Sequence, residues 1–321
     1  MGFVLAAGVA ATLGAAIAVN TLASQREARV MAAYPAEGQF LDLPSGRIHV
    51  VERGQPKGTA PDVVLIHGSN GSTRDMSFAL APALEDRYRI LMFDRPGLGY
   101  SDPLPAASIS AQAAALQQAA AAMGARRPLV LGQSYGGAVA LAWAVHHPEH
   151  IAGLISVAGP SHPWDTPLDP LYRVTSTKLG AQLVVPFLTA FVSEDHARTA
   201  LTSVYAPQAV PAGYADHFGL GMSLRRTSWC SNARQRADLL EEIRELQPSY
   251  KNLSLPIEII HGTADVTVSL EIHGEKLVQE VTSARLTALT GVGHMPHQTH
   301  PQAVAAAVDR AARRAQLRSA R

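Results

Sequence analysis

The chain carries a series of short runs that are apolar at nearly every position and close on glycine or a small polar residue: DVVLIHG (Asp62 to Gly68), YRILMFDRPGLGYSD (Tyr88 to Asp102), PLVLGQS (Pro128 to Ser134), LISVAGP (Leu154 to Pro160) and IEIIHGTAD (Ile257 to Asp265). A run without polar alternation has no solvent-facing side, so each reads as a strand buried on both faces of a parallel sheet. GRIHVVERG (Gly46 to Gly54) alternates enough to be an earlier strand, and helical patterns fall between the runs, notably over Ser110 to Met123, Ala138 to His147 and Leu270 to Val281. The alternation predicts an α/β fold with a mostly parallel central sheet and helices on both faces. Right-handed crossovers then gather the reactive loops at the carboxyl ends of the strands.

Residues 161–250 break this rhythm. They show no βαβ alternation, hold Trp164, Tyr172, Phe187, Phe191, Tyr205, Tyr214, Phe218 and Trp229, and end in the helical run RADLLEEIRELQ. Because the segment leaves and rejoins the sheet at neighbouring strand ends, it is expected to be a helical lid, with a second domain unrelated to the site as the alternative. The core is then residues 26–160 and 251–321.

With 321 residues, 47% hydrophobic and 17% charged, the chain is long and apolar enough to bury a sizeable core and a pocket. A net charge of +1 gives no reason to expect nucleic acid. Arg310, Arg313, Arg314, Arg318 and Arg321 read as a solvated helix end suited to the macrodipole, not as a binding patch. Cys230 is the single cysteine, so there is no internal disulfide and no cysteine-rich metal site.

Residues 1–25 differ in kind. No side chain from Gly2 to Leu22 is charged, and as a helix this stretch would extend about 31 Å, close to the ~30 Å of bilayer hydrocarbon. Its apolar content is weak, with seven alanines and three glycines. The small residues Gly2, Ala6, Ala10, Gly14 and Ala18 are spaced to let two such helices pack. We expect an N-terminal apolar helix that anchors the chain in a membrane, with Arg26 and Arg29 after it placing the following domain in the cytoplasm. The alternatives are a soluble cytoplasmic chain with an alanine-rich helix, or an exported one with a cleaved signal, although basic residues before the apolar stretch are lacking.

The chemistry centres on LVLGQSYGGAVALAWAV (Leu129 to Val145). Glycine and serine both favour turns, so a G-x-S-x-G match alone is weak. Here a strand precedes it and a helix follows it, and a sharp strand-to-helix turn would hold Ser134 in strained geometry with its hydroxyl presented at the sheet edge. A serine hydroxyl needs a base that is itself oriented by an acid. Asp265 follows the strand IEIIHG, and His294 follows RLTALTGVG. Singly, Asp265 could be a turn aspartate and His294 a loop histidine. His297 and His300 compete with His294, which is preferred as the first residue after a G-x-G turn that ends a strand. The order Ser134, Asp265, His294 is that of a nucleophile, acid and base. An oxyanion needs donors too, for which the backbone N–H groups of Tyr135 and Ser69 are the candidates. His67 reads as a brace for the loop.

In order, HGSNGS, DRPGLGYSD, GQSYGG, HGTAD and GVGHMPHQTHP resemble the α/β-hydrolase superfamily over about residues 38–320, as a serine-nucleophile member with an inserted helical lid. The resemblance implies a catalytic triad of Ser134, Asp265 and His294, an oxyanion hole at Ser69 and Tyr135, and no metal or organic cofactor. It implies that Gly97 and Gly99 shape the DRPGLGYSD turn while Asp94 and Ser101 brace it. At Thr299 many relatives have an acidic residue, a departure that touches a local salt bridge and not the chemistry. Dehalogenases and epoxide hydrolases of the superfamily use an aspartate where this chain has Ser134. The resemblance therefore implies hydrolysis of a small-molecule carboxylic ester, thioester or lactone, with carbon-carbon bond hydrolysis, haloperoxidase-type perhydrolysis, or a non-catalytic binding role as alternatives. The aromatic and apolar residues of 161–250 point to a hydrophobic substrate, with plain lid core as the alternative reading of those residues.

Overall fold

The computed structural model describes the backbone of residues 2–318 and the side chains of residues 13–318. Among the described residues, eight strands form one sheet in the order β1-β2-β4-β3-β5-β6-β7-β8: β1 (Gln39–Leu43), β2 (Gly46–Gly54), β3 (Asp62–Ile66), β4 (Arg89–Phe93), β5 (Leu129–Gln133), β6 (Gly153–Val157), β7 (Ile257–Gly262) and β8 (Ala284–Leu289). The β1–β2 and β2–β4 pairings are antiparallel, and the pairings from β4 through β8 are parallel. Strand β1 has no counterpart in the sequence reading, because QFLDL at a half-exposed edge lacks the continuous apolar signature.

Successive side chains of a strand point to opposite faces, which splits the core in two. Val64 and Ile66 of β3 face one cluster, built with α3 (Ile109–Ala122) and α4 (Tyr135–His146). Val63 and Leu65 face the other, where Met76 of α2 (Thr73–Phe78) and Val304, Val308 and Ala311 of the C-terminal helix (Pro301–Arg314) pack. Helix α4 is buried through GGAVALAWA, and its small residues let it lie close over the sheet. Ser108 caps α3 by accepting the Ala111 N–H at 3.1 Å.

Between β6 and β7 the chain forms α5 (Pro170–Thr175), α6 (Lys178–Leu183), α7 (Val185–Phe191), α8 (Glu194–Tyr205), α9 (Tyr214–Phe218) and α10 (Arg226–Leu246). After β7 come α11 (Gly274–Glu280), α12 (Pro296–Thr299) and α13, the Pro301–Arg314 helix. Two arginines of α13 depart from a solvated helix end, while Arg313 is exposed. Arg310 and Arg314 donate to the two carboxylate oxygens of buried Glu258 on β7, at 2.8 and 2.7 Å, and so pin the helix to the sheet. Arg321 lies outside the described residues.

The membrane anchor is overturned. Helix α1 runs from Gly2 to Ala33 without stopping at residue 25, and no described helix is long and apolar enough to cross a membrane. Alanine and glycine dilute the apolar content of its first half, and its second half carries Asn20, Ser24, Gln25, Arg26, Glu27 and Arg29. The cytoplasmic placement argued from the anchor falls with it. The side chains of residues 2–12, which carry much of the small-residue spacing, lie outside the described residues. The second half of α1 is docked on the segment between β6 and β7. Arg226, at the start of α10, donates to both carboxylate oxygens of Glu27, to Ser24 Oγ at 2.8 Å and to Asn20 Oδ1 at 3.1 Å. Val30 and Tyr34 lie directly against Gly221 and Gly219, where a Cβ would collide with them.

Glu242 of α10 accepts the Ile109 N–H at the start of α3, at 2.9 Å. Burial, reinforced by Asp238 and Glu245 and opposed by the Ile109 bond, pushes its pKa up to about 7.

Two expectations follow for stability. Arg226→Ala removes about 1 kcal/mol of partly exposed ion pairing, which should lower Tm by about 2 °C and speed hydrogen exchange in residues 20–33; unchanged exchange there would show that α1 is held otherwise. For Glu242, the folded-state pKa lies above the unfolded value of ~4.3. The native state therefore holds more protons than the unfolded one between those values, and stability falls as pH rises through them. Glu242→Gln, which still offers an oxygen to Ile109, should raise Tm by about 2 °C at pH 8 and leave it unchanged at pH 4.

Candidate active site

Strand β5 ends at Gln133 and α4 begins at Tyr135, so one residue makes the turn. Ser134 does so at φ 51° and ψ −123°, a region that residues with a β-carbon avoid. Its N–H donates to Val157 O at 2.9 Å, and its carbonyl accepts from Gly137 N at 2.7 Å. The crossing is tight: a Cβ on Gly132 would strike the carbonyl of Gly136, and one on Gly136 would strike the carbonyls of Ile66 and His67.

Three distant loops converge here. Ser134 Oγ lies 2.9 Å from His294 Nε2, and His294 Nδ1 lies 2.8 Å from Asp265 Oδ2. The other oxygen of Asp265 accepts the N–H groups of Thr267 and Val268 at 2.8 and 2.9 Å. His261 Nε2, which donates to Val268 O at 2.8 Å, approaches Asp265 Oδ2 to 3.4 Å. Burial alone would raise the Asp265 pKa, but these donors and the two histidines hold the carboxyl well below the usual carboxylate range. An ionised carboxylate only accepts, so the His294 proton sits on Nδ1 and leaves the Nε2 lone pair facing the serine. That arrangement can take a proton from the hydroxyl as it attacks a carbonyl.

His294 is held in place from both sides. Gln133 Nε2 donates to its carbonyl at 3.3 Å. Gln208, between α8 and α9, accepts from Gly293 N and donates to Gly291 O, each at 2.8 Å. His297 and His300 are elsewhere: His297 is buried against Asp75 at 3.2 Å, and His300 is bonded to Thr299. Thr299 Oγ1 donates to Met295 O at 3.1 Å and lies 2.9 Å from His300 Nδ1.

The loop after β3 borders the serine. A Cβ on Gly68 would lie 3.1 Å from Ser134 Cβ. His67 is fully buried, and burial together with nearby Arg95 pushes its pKa down to about 4. As a neutral ring it donates from Nδ1 to Gly68 O at 2.9 Å and accepts the Arg95 N–H at Nε2, also at 2.9 Å. Among the described residues the Ser69 N–H has no protein acceptor, and the Tyr135 N–H, at the first position of α4, has none within its helix. Asp94 accepts from Thr73 N at 2.7 Å, Tyr100 N at 2.8 Å and His49 Nδ1 at 2.6 Å, while Ser101 Oγ donates to Asp94 O at 2.7 Å. The turn they brace contains Gly97 and Gly99 at positive φ. Among the described residues no cluster of histidine, cysteine and acidic side chains is placed to hold a metal ion.

Sequence reasoning passed over Asn70, which turns at φ 55° and is clamped by the segment between β6 and β7. Its N–H donates to Asn232 Oδ1 at 2.9 Å, its amide to Tyr172 Oη at 3.1 Å, and its carbonyl accepts from Ser223 at 2.8 Å. The Asn-Gly dipeptide inside HGSNGS is the signal that could have flagged it.

The model of the alpha/beta hydrolase fold family matches residues 61–301, and the chain belongs to that family. It is 30% identical over 283 residues to polyketide synthase ThaQ of Burkholderia thailandensis, covering 84% of this chain but only 12% of that protein. It is 29% identical over 262 residues to the pimeloyl-[acyl-carrier protein] methyl ester esterase of Edwardsiella ictaluri, covering 77% of this chain and 91% of that enzyme. The crystal structure of the enol-lactonase from Burkholderia xenovorans LB400 shares the fold with a TM-score of 0.68 at 18% identity, over 85% of this chain and 99% of that one.

The backbone at Ser134 yields a prediction independent of any reaction. Both Ser134→Ala and Ser134→Gly lose the hydroxyl, but only alanine keeps a β-carbon at positive φ. Strain relief of about 1–3 kcal/mol outweighs the ~0.4–1 kcal/mol that glycine loses through the unfolded chain. The glycine variant should therefore melt about 2–4 °C above the alanine variant. Equal melting temperatures would show that the turn is unstrained.

Proposed function

We propose that the chain is a serine hydrolase that cleaves a carboxylic ester, thioester or lactone through an acyl-enzyme. What carries the reading is the unbroken run of short contacts from Ser134 Oγ through the His294 ring to Asp265, at 2.9 and 2.8 Å. His294 takes the serine proton during attack, Asp265 holds the imidazole and stabilises its cation, and the Ser69 and Tyr135 amides receive the oxyanion. His294 gives that proton to the alcohol or thiol as it is expelled, which leaves the acyl group on Ser134 and the imidazole neutral. His294 then takes a proton from water, whose attack on the acyl carbon releases the acid as the proton passes back to Ser134 Oγ.

Residues 161–250 act as a lid over a core of residues 26–160 and 251–321. Supporting this, Asn232, Ser223 and Tyr172 hold the loop after β3, and Gln208 holds the loop bearing His294, so the segment bridges both sides of Ser134. Tyr172, stacked on Trp229 and with the Arg236 cation 4.6 Å from its ring centroid, accepts through its hydroxyl from Asn70 on the loop that carries Ser69. One of the named relatives, a methyl ester esterase, falls in the same substrate class.

The test is a p-nitrophenyl ester series together with a fluorophosphonate probe. Ser134→Ala should reduce turnover by at least about 10³-fold and abolish labelling, and His294→Ala should block labelling at Ser134. Retained turnover in Ser134→Ala would overturn the mechanism, and a wild-type chain that neither labels nor turns over would be a binding homologue.

A further inference from the structure

Arg95, the second residue of DRPGLGYSD, is fully buried, and no carboxylate pairs with it among the described residues. Its guanidinium donates instead to four neutral oxygens: Nε to His67 O at 3.0 Å, Nη2 to Gly68 O at 3.0 Å, and Nη1 to Gln112 Oε1 at 2.8 Å and Gln235 Oε1 at 2.6 Å. The same cation lies over the Tyr135 ring, 4.3 Å from its centroid. An unneutralised buried charge is costly, and cores normally pair it or dispense with it.

The position of the charge suggests what it does. Gly68 C=O and Ser69 N–H belong to one planar trans peptide, so they point in opposite directions. The carbonyl is fixed on the inner side by Arg95 Nη2, by His67 Nδ1 at 2.9 Å and by Gly71 N at 3.2 Å. The Ser69 N–H is thereby turned outward, on a loop whose Gly68 abuts Ser134. A cation on the carbonyl end also polarises the amide and strengthens its N–H as a donor, an effect that low local dielectric preserves. A carboxylate beside Arg95 would cancel that field.

We propose that Arg95 is a positioning residue for the oxyanion hole: its uncompensated charge orients and polarises the Gly68–Ser69 peptide and supports Tyr135, so that both donors bind negative charge formed at the substrate oxygen. The inference rests on the serine-hydrolase reading above. Its effect lies on the transition state and not on substrate affinity, because the substrate carbonyl is neutral until attack.

In the full chain, Arg95→Gln keeps a donor near the loop and removes the charge. With p-nitrophenyl acetate, kcat per fluorophosphonate-titrated site should fall about 10–100-fold with KM within about 3-fold. The inhibition constant of an aryl trifluoromethyl ketone, which forms a tetrahedral oxyanion adduct with the serine, should rise by the same factor. Arg95→Lys, which retains charge but loses the fork, should show a smaller loss with both quantities still moving together. A kcat per titrated site within about 2-fold of wild type, a loss confined to KM, or a fall in kcat with ketone affinity unmoved would overturn the proposal. Should Arg95→Gln not fold, Arg95→Lys decides alone, since a purely structural arginine lowers the folded fraction without changing kcat per titrated site. If the wild-type chain takes no label at Ser134, the serine-hydrolase reading fails first.

Discussion

The structure depends on one close backbone crossing. Where β5 hands over to α4, the carbonyl of Gly136 occupies the space a side chain at 132 would need, and the carbonyls of Ile66 and His67 occupy the space of one at 136. This contact fixes the distance between α4 and the sheet, forces Ser134 to positive φ and brings the loop after β3 beside it. The buried apolar packing on both faces supplies most of the driving force, but it is non-directional. The crossing converts that packing into the placement of a single hydroxyl.

Much of this frame was legible in the sequence because it is written in local patterns. DVVLI, PLVLGQ and IEIIHG mark strands covered on both faces, and the breaks after them mark where side chains emerge at the sheet rim. Ser134 and Asp265 could be singled out because each sits just beyond such a run, and His294 because it follows the G-x-G turn after the next strand. What could not be read depends on tertiary distance. Gln235 reaches Arg95 across 140 positions, and Asn232 reaches Asn70 across 162, from a segment without strand periodicity. No local pattern announces that a polar residue on one helix will complete a loop so far away.

The N-terminal helix shows the converse failure. Counting charges from Gly2 to Leu22 suggests a membrane span, but absence of charge is not apolarity when alanine and glycine supply so much of the stretch. The stronger clue lay outside the window. The helix continues into Asn20, Ser24 and Glu27, whose acceptors match the donor fork of Arg226, up to 206 positions away. Likewise, the basic C-terminal helix turns inward because Glu258, buried in β7, needs two cations beside it.

The clamp on Asn70 ties the segment between β6 and β7 to the loop beside Ser134. Its Asn232, Ser223 and Tyr172 are partners of the loop bordering Ser134, so that loop takes its shape from residues outside the central sheet. Replacing the whole segment would withdraw those three partners. The fold of the segment and the shape of that loop are therefore mechanically joined in this chain, and a transplanted segment would have to bring its own equivalents of that clamp.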